Sequence, residues 1–151
     1  MIDAIARTQL AEAIRALASG VITNDEFETR VPRGSLDPAV QEIFLSGPWQ
    51  LYSDLRTHKL SGQHRLPDLA RPEVSRWVLF LKSSRPYDWP RYAGPQGLLW
   101  LISSLLTFGL FGIIRRRRLA HHGDLSVWPF IHRKHFEAAL AARPPYLGGA
   151  A

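Results

Sequence analysis

Residues 97–118 read GLLWLISSLLTFGLFGIIRRRR, and how this stretch is read decides what kind of molecule the chain makes. Its first eighteen positions, 97–114, carry no charged side chain, and the next four are Arg115, Arg116, Arg117 and Arg118. A helix of that length reaches about 27 Å, close to the hydrocarbon thickness of a bilayer. Leu98, Trp100, Ile102, Leu106, Phe108 and Phe111 would then be the anchoring side chains, with the four arginines on anionic lipid head groups or other phosphates. Ser103, Ser104 and Thr107 are tolerated in lipid because their hydroxyls return hydrogen bonds to helix carbonyls. The same stretch also suits a core helix wrapped by its neighbours, its arginines solvated against the negative end of the helix dipole.

Charge distribution constrains the membrane alternative. Keeping the arginines in the cytoplasm requires export of 96 preceding residues that bear twelve Lys or Arg, and the reverse orientation drags four arginines across the bilayer. A hairpin turning at Gly109 and Gly112, or a segment lying in the interfacial plane, avoids both. The opening residues Met1, Ile2 and Asp3 place an acid where a signal peptide carries basic residues, so the rest of the chain is expected on the cytoplasmic side.

The whole chain is 151 residues, 46% hydrophobic, with 19 Lys+Arg against 13 Asp+Glu and a net charge of +6. Such a balance favours anionic partners: a membrane surface first, nucleic acid second. The absence of cysteine excludes disulfides and thiolate ligands. No P-loop, dinucleotide fingerprint or nucleophile elbow is present, so no small-molecule substrate or cofactor is implied. His132 and His135, with His121 or Asp124, would be the only candidate for a three-ligand zinc site, and their spacing matches no metal signature. We therefore assign no catalytic, cofactor or metal residue, and expect a protein that is not an enzyme. Asp88, between Tyr87 and Trp89, would acquire a raised pKa only if buried.

Outside 97–118 the regular pattern is helical, broken by connecting stretches. Asp3 caps a first helix to about Ser19, whose Leu10, Ile14 and Leu17 recur at helical spacing, and Gly20 stops it. Thr23 and Glu26 form a capping box for a second helix that brings Phe27 and Val31 onto that stripe. Positions 31–35, VPRGS, read as a linker. Asp37 and Pro38 then start a helix ending near Gly47, and Trp49, Tyr52 and Leu55, three apart, extend helical spacing to about Lys59. Pro72 opens the best amphipathic helix, with Val74, Trp77, Val78 and Leu81 on one face. An aromatic, proline-rich stretch follows at 85–95, with Trp89-Pro90 and Trp128-Pro129 as two aromatic plugs, and a last helix runs from about His132 to Ala142.

Residues 10–28, LAEAIRALASGVITNDEFE, resemble the SHOCT-type short helical hairpin. The likeness rests on a leucine-bearing helix, the G-x-I-T of positions 20–23, and the acidic pair Asp25-Glu26 before Phe27. The resemblance implies a unit for oligomerisation or nucleic-acid contact in bacterial, often membrane, proteins, which usually carry it at the C-terminus; here it is N-terminal. By that resemblance Leu10, Ile14, Leu17 and Phe27 would be partner-contact residues. Positions 123–130, GDLSVWPF, are similar to the closing segment of small bacterial proteins, a likeness that implies no chemistry.

The expected architecture is thus all-α: a helical hairpin at 3–31 and a helical body at 37–145 that includes one long apolar helix at 97–114. The expected role is a membrane-associated interaction protein anchored through 97–118. The alternative is a soluble nucleic-acid- or protein-binding module with 97–114 as its core helix.

Overall fold

A computed structural model describes residues 1–53, 55–90 and 121–142. Five helices appear among them, and no strand beyond a single antiparallel bridge between Thr23 and Lys59. They are α1 (Ala4–Ala18), α2 (Asn24–Arg30), α3 (Pro38–Ser46), α4 (Arg71–Lys82) and α5 (Arg133–Ala141), so the chain is mostly helical, as its periodicity predicts.

Local chemistry sets the ends of the helices. Asp3 caps α1 by accepting from the Ala6 amide, and the helix closes in a Schellman turn. There Gly20 N–H donates to Leu17 O and Val21 N–H to Ala16 O, with Gly20 at φ +70°, a left-handed conformation that favours glycine. Both reciprocal bonds of the Thr23/Glu26 capping box are present at α2. Asp37 caps α3 through the Ala39 amide, with Pro38 at the first helical position.

The longest packing seam is α1 on α4. Leu10, Ile14 and Leu17 on α1 and Val74, Trp77, Val78, Leu79, Phe80 and Leu81 on α4 are all buried, and they share one core with Phe27, Val40, Ile43 and Phe130. At an apolar-transfer value of about 25 cal/mol per Å², each large aliphatic side chain so buried contributes roughly 1.5–3 kcal/mol before chain entropy is subtracted.

Positions 49–59 depart from the expected helix. Among the described residues of this stretch only a 3-10 turn forms, at Pro48–Leu51, and Leu55 is left 90% exposed. The reason is a competing partner for the backbone. Asn24, 1% exposed, donates its side-chain amide to Ser53 O and Arg56 O, and its carbonyl accepts from the His58 amide at 2.8 Å. Those bonds hold the segment in an open loop against the start of α2.

Among the described residues no helix is long and apolar enough to cross a membrane. The expected apolar helix at 97–114 lies outside the described residues, and so do Leu98, Trp100, Ile102, Leu106, Phe108, Phe111 and Arg115 to Arg118.

Candidate functional site

The arginine at position 7 continues the stripe of Leu10, Ile14 and Leu17 at helical spacing, so α1 carries a cation into its own core. Arg7 is 1% exposed. Its guanidinium meets the Asp37 carboxylate as a fork, Nε to Oδ2 at 2.6 Å and Nη2 to Oδ1 at 3.1 Å. Nη1 donates to Ser83 O at 3.1 Å and to Arg85 O at 2.7 Å, and the group stands 5.5 Å from the centre of the Phe80 ring. One side chain thereby joins α1, the start of α3 and the chain leaving α4. Burial by itself would raise the Asp37 carboxyl. The Arg7 hydrogen bond, the amides of Asp3 and Ala39 and the charge of Arg7 outweigh it and hold the carboxyl below its ordinary value.

Arg7 thus pins one side of the segment that leads to position 90. The other side is pinned by the stretch that resumes at 121. Trp89, 2% exposed, donates its indole N–H to Pro129 O at 2.9 Å, and Trp128 donates its own to the Tyr87 hydroxyl at 3.3 Å. Asp124 N–H donates to Ile131 O at 2.9 Å, folding 124–131 back on itself. Gly123 fits only because it lacks a side chain: a Cβ there would lie 2.5 Å from Ile131 O and 3.1 Å from the Trp89 ring. Phe130 packs edge-on against Phe80 at 5.1 Å and lies 5.5 Å from Phe136 on α5. Tyr87–Trp89 and Gly123–Ile131 therefore pack against each other as the two sides of what we call the neck, so the described chain ends at 90 and resumes at 121 in the same region of the body.

A recess of about 210 Å³ opens at this neck between Phe80, Arg85, Asp88, Phe130, Ile131 and His135. Asp88 stands exposed, not buried. His135 titrates below the ordinary histidine value, through desolvation first and then the charges of Arg85, His132 and Lys134, which Asp88 opposes. The His132 and His135 rings lie 5.3 Å apart, yet among the described residues no three His, Cys, Asp or Glu groups converge as metal ligands. Asp124 instead accepts from the Ser126 amide and hydroxyl, which with nearby Arg133 hold its carboxyl below the usual range.

The hairpin residues are placed differently from the role the resemblance implies. Leu10, Ile14, Leu17 and Phe27 each have 0% exposure and face the core of this same chain. The apolar side chains that this end of the molecule turns outward are Met1, Ile2, Ile5, Val21 and Leu36. The polar anchors Arg7 and Asn24 escaped the sequence reading; for Arg7 the signal was present, as a charge in register with an apolar stripe. No family model, curated protein or solved structure matches the chain.

Proposed function

We propose that this is a non-enzymatic interaction protein held at an anionic membrane surface through residues 97–118, with the folded helical body displayed on one side. The single observation that carries the reading is the sequence itself: eighteen uncharged positions running directly into Arg115, Arg116, Arg117 and Arg118. Each arginine near an anionic surface contributes about 1 kcal/mol, and the apolar side chains add burial in the interface.

The neck supports a one-sided attachment. A single crossing would put positions 90 and 121 on opposite faces of a hydrocarbon layer about 30 Å thick. The Trp89 bond to Pro129 and the fit of Gly123 against Trp89 hold those positions together while the body is folded. Insertion that dips and returns, or that lies along the interface, keeps the neck intact. In this reading the likeness of residues 10–28 to the SHOCT hairpin favours the N-terminal end of the body as the surface offered to a protein partner.

Vesicle flotation tests the proposal. The full chain should float with vesicles containing phosphatidylserine, bind neutral vesicles weakly, and lose affinity as salt rises. Replacing Arg115 to Arg118 by Gln should abolish the salt-sensitive part. A chain that stays monodisperse without detergent and floats with neither vesicle overturns the reading in favour of a soluble binding module. Protease digestion of the bound protein should reach both 1–90 and 121–151 from the same face.

A further inference from the structure

Three separate stretches of chain meet at the end of the body next to the neck. Asp3 is held there from two sides: its amide donates to Asp37 Oδ2 at 2.9 Å, and its own Oδ2 accepts from the Ser35 hydroxyl at 2.9 Å. Those bonds tie the start of the chain to residues 35–37. Arg7, paired with Asp37, donates from the same place to Ser83 O and Arg85 O. Residues 1–5, 35–37 and 83–85 therefore share one end of the body.

This end leaves a group of apolar side chains in the open. Met1, Ile2, Ile5 and Leu36 are all exposed, Ile5 at 74% and Leu36 at 79%. Leu36 stands between the two residues that hold Asp3, so the four lie on stretches tied to one another. Single exposed aliphatics are ordinary, whereas several brought together mark a contact surface. Cations stand beside them. Arg85 lines the recess at the neck, and its charge acts on the His135 ring together with those of His132 and Lys134, with Asp88 alone opposing them. Apolar side chains next to a net positive field are what an anionic lipid interface takes up.

We propose that Met1, Ile2, Ile5 and Leu36 form a second membrane contact, so that the neck end of the body lies on the interface of an anionic phospholipid bilayer. Position selects this partner. The thirty residues 91–120, which include the uncharged run and Arg115 to Arg118, depart from and return to the described chain at positions 90 and 121, at this same end. The proposal rests on attachment through 97–118 and specifies which face of the body that attachment brings against lipid. The hairpin turn at 20–23 lies past the other end of α1, about 20 Å along the helix, and stays free for a protein partner.

The chain has no cysteine, so single labels test this directly. Ile5→Cys and Leu36→Cys in the full chain, each carrying a polarity-sensitive fluorophore, are compared with Val21→Cys and Leu69→Cys, exposed positions beyond the far ends of α1 and α4. On vesicles containing phosphatidylserine, emission from positions 5 and 36 should shift to the blue and be quenched by lipids spin-labelled near the headgroup, while positions 21 and 69 stay as in water. The Ile2→Gln/Ile5→Gln double variant, altered only at exposed positions, should lose about tenfold in vesicle affinity at high salt, where the arginine contribution is screened. Labels at 5 and 36 that stay in water on a chain that floats overturn the proposal and leave attachment through 97–118 standing. A chain that does not float overturns both. A blue shift at 5 and 36 without vesicles overturns the proposal in favour of a protein surface, a second copy where the shift grows with concentration and the chain's own 91–120 where it does not.

Discussion

The two sides of α4 are held by different physics. Toward α1 it meets a regular helix whose aliphatic stripe ends in a buried ion pair, Arg7 with Asp37. Toward residues 121–131 it meets backbone with little regular structure, fixed by aromatic rings and a few side-chain hydrogen bonds, Trp89 to Pro129 above all. The helical side satisfies its peptide groups within each helix, so one polar anchor suffices to set how three segments meet. The irregular side has no such ladder, and its shape depends on close fit at single positions such as Gly123.

The comparison can be broken most severely at Arg7. Arg7→Met leaves the Asp37 carboxylate buried without its cation and frees the carbonyls of Ser83 and Arg85, which should cost about 3–5 kcal/mol in urea unfolding. A loss under about 1 kcal/mol would mean that the aliphatic seam alone positions α3 and the neck. The irregular side should respond less. Gly123→Ala forces a methyl against Ile131 O and the Trp89 ring and should cost about 1–3 kcal/mol. Its hydrogen-exchange losses should concentrate in 121–131 and around Trp89 and spare α1; uniform losses would show that the two sides unfold as one unit.

Acid separates the two sides more finely. Both Asp37 and His135 have folded-state values below their ordinary ones, so in each case the unfolded chain takes up its proton first as pH falls, and stability declines. For His135 that decline begins near an unfolded value of about 6.5 and continues down to the lowered folded value. The Asp37 contribution is complete above about 3.9 and is lost only below it, as pH falls through the folded value. Stability should therefore slope gently through mildly acidic pH and fall steeply below about 4. His135→Gln should flatten the first part and leave the second unchanged, the smallest of these effects. An unaltered slope above pH 5 would remove His135 from the neck's energetics.

Much of the helical side was legible in the chain before any fold was seen. The limits of α1, α2, α3 and α4 follow from Asp3, Thr23, Asp37 and Pro72 because capping and the fixed φ of proline act within a few residues. The helix expected up to Lys59 failed because Asn24, about one helix upstream, captures that backbone, and no spacing rule within 49–59 reports it. Leu10, Ile14, Leu17 and Phe27 were recognised as one apolar set, but whether such a set meets a partner or its own α4 depends on what the rest of the chain brings to it.

Helix content, net charge and the apolar run before Arg115 to Arg118 are properties of neighbouring residues, and the sequence by itself determined them. Tertiary structure alone decided that Arg7 meets Asp37 thirty positions away and that Trp89 reaches Pro129 across forty. The physical reason is range. Caps, turns and helical periodicity act over about four residues, whereas burial and hydrogen-bond pairing in a core are settled only when distant segments close on one another.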